Sequence, residues 1–231
     1  MPRETFEREL QRLQDDLLAL GCLVEDALIA SVEALRRRDG EASRKVIEGD
    51  EEINRRRFAL ERDALILIAT QQPMASDLRV LAAILEITTE LERMGDYAKG
   101  IAKINLMIGD EPLIKPLIDI PRMAEKARDM LHRSLDAFVR QDVELARAIP
   151  REDDEVDALY QQIYRELITY ILADPHNIEQ ANYLLWAAHN LERTADRVTN
   201  ICERVVFTVT GEMTELNEDE GRSTSVEGLS A

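Results

Sequence analysis

The chain reads as an all-α protein made of two tandem antiparallel three-helix bundles, and three observations predict it. Glycine and proline number only 9 and 7 in 231 residues, aromatics make up 4%, and charged residues reach 32%. A chain rich in Leu, Ala, Glu and Arg and poor in turn formers favours long helices over sheets. Apolar residues recur in alternating steps of four and three, the spacing of one helix face. Finally, that spacing occurs twice, at a nearly constant offset, as an internal duplication requires.

The helices follow from sparse punctuation. A first helical pattern runs from about Glu4 to Arg38 and stops at Asp39-Gly40. A second runs to about Thr70, ahead of Gln71-Gln72-Pro73, and a third from Met74 to Gly109. Pro112, Pro116 and Pro121 mark the only plausible linker. A fourth pattern reaches Arg140, a fifth spans 142–172, and a sixth runs from about Pro175 to Val209. Pro150 lies inside the fifth and should kink it, because proline lacks the N–H a helix interior needs. Helices of about 30 residues are about 45 Å long, so each buries a seam along its neighbours.

The third pattern carries the seam Val80, Ile84, Ile87, Leu91, Met94, Ala98, Ile101. The sixth carries Leu184, Ala187, Leu191, Thr194, Val198, Ile201, Val205, and the six from Leu184 to Ile201 match Ile84 to Ile101 at a displacement of 100 positions. The second and fifth patterns match at a displacement of 103, with Ile53, Leu60, Ala64 and Leu67 against Val156, Ile163, Leu167 and Tyr170. Polar positions match too. Ser31, Ala34, Asp39, Glu41 and Arg44 are identical to Ser134, Ala137, Asp142, Glu144 and Arg147, and Pro73 and Pro175 stand at equivalent boundaries. Residues 3–109 are therefore expected to form the first repeat, 110–121 the linker, and 119–211 the second repeat. Residues 212–231, with six acids against one arginine, are expected to be a disordered acidic tail.

Charge and composition exclude several function classes. With 46 acids against 29 Lys and Arg, the net charge is −17, which repels phosphate backbones and argues against nucleic-acid binding. Cys22 and Cys202 stand far apart, so no disulfide scaffold or zinc knuckle is expected, in keeping with a reducing compartment. The start of the chain resembles neither a signal peptide nor an anchor, and the most apolar runs, 64–70 and 78–87, fall short of the ~20 residues of a spanning helix. No phosphate-binding glycine loop, nucleophile elbow or Glu-x-x-His pair occurs, so no enzyme is expected. His132 reads as exposed, His176 as part of a turn after Asp174-Pro175, and His189 as solvated or partly buried. Trp186 and the group Tyr160, Tyr164 and Tyr170 read as core.

One constellation carries possible chemistry. Glu92 and Asp96 lie four residues apart in Leu-Glu-Arg-Met-Gly-Asp, and Glu192 and Asp196 do the same in Leu-Glu-Arg-Thr-Ala-Asp. That spacing stacks both carboxylates beside the apolar seam. The preceding helices carry Asp50 with Asn54 and Asp153 with Asp157, again four apart. Antiparallel neighbours bring the two sets together as up to four oxygen donors per repeat, a set suited to hard cations. Acidic pairs at this spacing are common in so acidic a chain, so recurrence at matched positions is what singles these out. In the competing reading, Arg93 and Arg193 neutralise them as surface ion pairs.

Over about residues 3–211 the chain resembles the PhoU family of phosphate-uptake regulators. The resemblance rests on QQPMASDLRVLAAILEITTELERMGDYAKGIAKI (71–104), on HNLERTADRVTNICERVVFTVTG (189–211), and on the Asp-x-x-x-Asp/Asn pattern of both second helices. It implies two tandem three-helix bundles, a cytoplasmic location and a non-enzymatic role. That role is to restrain the phosphate ABC transporter, through its ATPase subunit, and to signal phosphate sufficiency to a membrane histidine kinase. Homodimers are implied, as is membrane contact only through partners. The resemblance also implies metal ions (iron, zinc, manganese or magnesium) at Asp50, Asn54, Glu92 and Asp96, and at Asp153, Asp157, Glu192 and Asp196. Asn54 departs from the family's carboxylate, so the first site is expected to hold its metal less tightly or to hold fewer ions. The alternative is a metal-binding or metal-buffering helical protein without a phosphate-regulatory role.

Overall fold

The computed structural model describes residues 3–216. Seven α-helices follow in order: α1 (Arg3–Arg37), α2 (Gly40–Gln71), α3 (Ala75–Ile108), α4 (Asp119–Arg140), α5 (Val143–Ala148), α6 (Asp153–Ala173) and α7 (Ile178–Thr210). Helices α1, α2 and α3 pack on one another as the first bundle. Helix α4, the broken helix α5–α6, and α7 form the second. The long second helix of the second repeat is more than kinked. Pro150 divides it into α5 and α6, joined by a 3₁₀ turn over Ile149–Glu152.

The duplication extends to individual hydrogen bonds. Ser31 and Ser134 are both fully buried, and each hydroxyl donates to the carbonyl three residues back, Leu28 or Leu131, at 2.8 and 2.7 Å. Each first helix ends in a left-handed residue, Arg38 or Gln141, which lets the Asp39 or Asp142 N–H reach the carbonyl of Ala34 or Ala137 at 2.9 Å. The same aspartates then cap the next helix, accepting from the N–H of Ala42 at 2.9 Å and of Leu145 at 3.0 Å. Asp39 and Asp142 thus recur because one residue both follows a helix stop and caps the next start.

All fourteen seam residues of α3 and α7 are buried. These two helices also run antiparallel along each other and tie the repeats together. Glu86 meets Arg204 at 3.0 Å, Glu90 meets Arg197 at 3.4 Å, and Tyr97 accepts from Arg193 at 3.1 Å. With α1 packed on α4 as well, the buried apolar side chains of both repeats form one continuous core rather than two.

Sizes exchange in step between the repeats. A Cβ on Gly95 would lie 3.1 and 3.2 Å from the side chain of Ile53. The second repeat has Ala195 at that place, and opposite it the smaller Val156. Asn105, buried in the first repeat, donates to Ala34 O, Asp39 O and Ser43 Oγ. Its counterpart Val205 and the counterpart of Ser43, Ala146, are both buried and apolar, so polar and apolar residues are exchanged together.

The connection between the repeats is fastened to the second one. Gln180 accepts from the Ile114 N–H at 2.5 Å and donates to the Pro112 carbonyl at 3.0 Å. Lys115, buried, pairs with Glu166. At the other end, Leu216 packs on the core and its N–H donates to Glu203 at 3.1 Å, so the chain through Leu216 is ordered where a disordered tail was expected. The expectation for 217–231 lies outside the described residues. Trp186, 56% exposed, and Tyr164, 44% exposed, correct their reading as core; Tyr160 and Tyr170 are half-buried. Helical spacing fixes a face but not which face a third helix covers.

Two outcomes are expected in urea unfolding. Gly95→Ala gains about 1 kcal/mol of helix propensity and loses it to crowding against Ile53. Combined with Ile53→Val it should be about 1 kcal/mol more stable than the single effects add to; additivity would refute the exchange. Gln180→Ala should cost about 1–3 kcal/mol by leaving the connection's backbone groups unpaired.

Candidate functional site

In the first repeat the acid positions pair with the chain's own polar and cationic side chains. Asp50, 4% exposed, faces α3 from α2. Its Oδ2 accepts from Lys99 Nζ at 2.6 Å and from Asn54 Nδ2 at 3.0 Å. Glu92 sits 3.1 Å from Arg57, which also holds Glu61 at 2.9 Å. Asp96, exposed, lies 3.8 Å from Lys99. Asn54 therefore acts as a hydrogen-bond donor to Asp50, not as a neutral oxygen ligand. The neutralising cations are Arg57 and Lys99, not Arg93, which is exposed. Arg193 turns to Tyr97, with its guanidinium 5.7 Å from the ring centre.

The second repeat keeps the carboxylates and lacks the cations. Asp153, Asp157, Glu192 and Asp196 lie on α6 and α7, and Tyr160 and Thr199 replace Arg57 and Lys99. Glu192 has only His189, whose Nδ1 approaches at 2.8 Å without hydrogen-bond alignment, so Glu192 Oε2 stays buried with no aligned donor. Asp153 Oδ1 is also buried and unpartnered. Burial, reinforced by Asp196, Asp157, Glu192 and Asp154, pushes the Asp153 carboxyl up to about 7. Burial and then Asp196 likewise raise Asp157 and Glu192.

The adjacent residue shows the opposite environment. Glu152 is gripped by Arg133 at 2.7 Å and Lys126 at 2.6 Å, and Arg133's hydrogen bonds chiefly hold it down at about 2. The second repeat thus places both nearby cations on Glu152 and none on Asp153. His132, exposed, contacts Glu25 at 3.2 Å, and His176 lies in the turn before α7. Burial pushes the Cys202 thiol up to about 12, leaving it unreactive.

These contacts correct the expectation of bound iron, zinc, manganese or magnesium. Among the described residues no group of three or more His, Cys, Asp or Glu side chains is gathered so as to hold a metal ion. In the first repeat an ammonium and a guanidinium take the acids' lone pairs. In the second, like-charge repulsion and burial favour a protonated Asp153 over a set of converging anions. Sequence reasoning missed Arg57 and Lys99. Their signal was the contrast between repeats: the positions beside the acid motifs are cationic in one copy and neutral in the other.

Asp153→Asn tests this electrostatic picture. A carboxyl whose folded-state value is raised binds its proton more tightly when folded, so it costs stability as pH rises from about 4 through about 7. The neutral amide should therefore raise the melting midpoint at pH about 8, by roughly 2–4 °C for each ~1 kcal/mol relieved. Near pH 5 the gain should shrink towards zero. An equal effect at both values would refute the assignment.

The PhoU domain family matches the chain twice, over residues 17–104 and 120–205. A phosphate-specific transport system accessory protein PhoU homolog from Aquifex aeolicus is 37% identical over 206 residues, covering 89% of this chain and 93% of that protein. The accessory protein PhoU of Escherichia coli K12 is 35% identical over 207 residues, covering 90% and 86%. Crystal structures of the regulatory protein PhoU from Streptococcus pneumoniae and of PhoU from Pseudomonas aeruginosa superpose with TM-scores of 0.83 at 33% identity, over 90% of this chain and 99–100% of theirs. Two matched repeats, one in each bundle, together with relatives aligned over nearly their whole length, place this chain in the PhoU family.

Proposed function

We propose that the chain is a cytoplasmic, non-enzymatic regulator of phosphate uptake and homeostasis. It restrains a phosphate ABC transporter by contact with the ATPase subunit and signals phosphate sufficiency to a membrane histidine kinase. The observation that carries this reading is the end-to-end match of both repeats to phosphate-transport accessory proteins. The physical resource is the set of long helix faces, which offer side chains at helical spacing to partner proteins. Membrane contact through partners alone belongs to the same proposal; among the described residues no helix is long and apolar enough to cross a membrane. Exposed Phe58, Leu65 and Ile66 on α2 support association of two copies. The metal-buffering alternative loses its basis with the correction above.

Deleting the protein should leave phosphate uptake unrestrained and a phosphate-starvation reporter active in phosphate-replete medium. Unchanged phosphate control in the deletion strain would overturn the reading. A charge of −17 also favours basic partner surfaces. Measured binding to the transporter's ATPase subunit should weaken as salt rises from about 50 to about 500 mM, and binding indifferent to salt would remove the charge argument.

A further inference from the structure

We infer that the outer face of α2 is a contact surface for a second copy of the chain, with the two α2 helices antiparallel and Glu51 of each copy on Arg62 of the other. Among the described residues α2 packs only on α1 and α3, whereas α4 and α7 also pack on those two helices. The face of α2 turned away from the bundle is therefore uncovered. From residue 44 to residue 69 that face holds an unbroken series of exposed positions spaced alternately by four and three. The buried Asp50, Ile53, Leu60, Ala64 and Leu67 line the opposite face. Steps of four and three are the spacing of a seam between two helices, and here the second helix is missing. The series includes Phe58, 59% exposed, and Leu65, 55% exposed.

The charges on this face are complementary to themselves, and they select one register. The antiparallel pairing that sets Glu51 on the partner's Arg62 also sets Arg55 on the partner's Phe58, a cation over an aromatic ring, and two-fold symmetry makes each contact twice. Sliding one helix by a heptad in one direction opposes Arg44 to Arg62, two like charges. Sliding it the other way opposes Glu51 to Ala69 and Arg55 to Leu65, and no opposite charges meet. Glu51 is available for the pairing. Arg55 and Arg56 both turn to Glu52, and among the described residues no cation pairs with Glu51. Arg62 contacts only its neighbour Asp63, at 2.9 Å. The duplicate face on α6 keeps the outer charges, Asp154 and Arg165, but has Ala158 and Gln161 at the centre in place of Arg55 and Phe58. That loss of the central contact singles out α2.

The size of the face sets the strength of the contact. At 1.5 Å per residue it is about 38 Å long, and a helix about 10–12 Å across gives a footprint of about 400 Å² per copy. A standard interface buries about 800 Å² per partner, so the copies associate weakly and exchange with monomer rather than forming an obligate dimer. Phe58 and Leu65 supply the apolar area, while the exposed ion pairs contribute little energy and fix direction and register. The inference rests on the association of two copies proposed above and adds to it the helix, the direction and the register.

Sedimentation velocity of the full chain in low salt, from about 5 to about 500 µM, should show monomer passing into dimer. Glu51→Arg and Arg62→Glu should each weaken the dimer about tenfold, because each sets like charges against each other. Glu51→Arg also lowers the net charge of −17 in magnitude, so general repulsion between copies would act in the opposite direction. The chain carrying both exchanges restores both pairs at the original net charge and should return to within about threefold of the parent. Phe58→Ala should cost about tenfold, and Asp154→Arg on α6 should change association less than about twofold. All these positions are exposed, so the melting midpoints should stay close to the parent's. A chain that is monomeric throughout the range would overturn both this inference and the association it rests on. A dimer that survives Glu51→Arg, that the double exchange fails to restore, or that Asp154→Arg weakens equally would overturn the α2 register alone. Neither result bears on phosphate control in the deletion strain.

Discussion

The antiparallel contact of α3 with α7 is the constraint on which the other features depend. Each helix is the third of its repeat and carries that repeat's apolar seam, so pairing them joins two bundles into one core. The join is directional. Acids Glu86 and Glu90 on α3 face Arg204 and Arg197 on α7, and the duplicate positions hold Trp186, Asn190, Ile104 and Tyr97 instead. A symmetric pairing would need those charges twice; having them once fixes which end of α3 meets which end of α7. The same pairing fixes the rotation of α3 and α7, and so which of their faces remain for α2 and α6. On those faces lie the acid motifs.

Duplication gives two copies of a site, and divergence has separated their electrostatics. In the first copy the acids are consumed internally. Removing one partner there would leave a buried charge uncompensated, which is far more costly than the net worth of the pair. In the second copy the carboxylates have lost both counter-charges and are held close by the fold. Within one residue the chain moves from Glu152, held at about 2 by Arg133, to Asp153, pushed to about 7 by burial and its acidic neighbours. Glu152 fastens the break between α5 and α6 to α4 through Arg133 and Lys126, and Asp153 lies beside the acids of α7.

Much of this fold was legible in the sequence because its signals were periodic and doubled. The fourteen seam residues are buried, and the matched polar residues Ser31 with Ser134 and Asp39 with Asp142 make the same bonds. Less legible were features decided by neighbours distant in sequence. Trp186 has helical spacing suited to a core but falls on an exposed face. Pro150 reads as a kink, whereas the chain gives it a whole 3₁₀ turn. In the candidate site, spacing placed the acids correctly beside the seam but was silent on what lay between them. Lys99 and Arg57 sit on different helices, so no local pattern pairs them with Asp50 and Glu92. Only comparison of one repeat with the other marks Thr199 and Tyr160 as substitutions for cations.

The central claim is that the second acid cluster lacks compensation by the chain's own cations. Site-resolved carboxyl ¹³C titration of Asp153 in the folded protein tests it most directly. The account expects a midpoint near 7, far above the ordinary carboxylate range. A midpoint near the usual ~4 would contradict it, because it would mean that a counter-charge already lies on Asp153 or that water screens its neighbours.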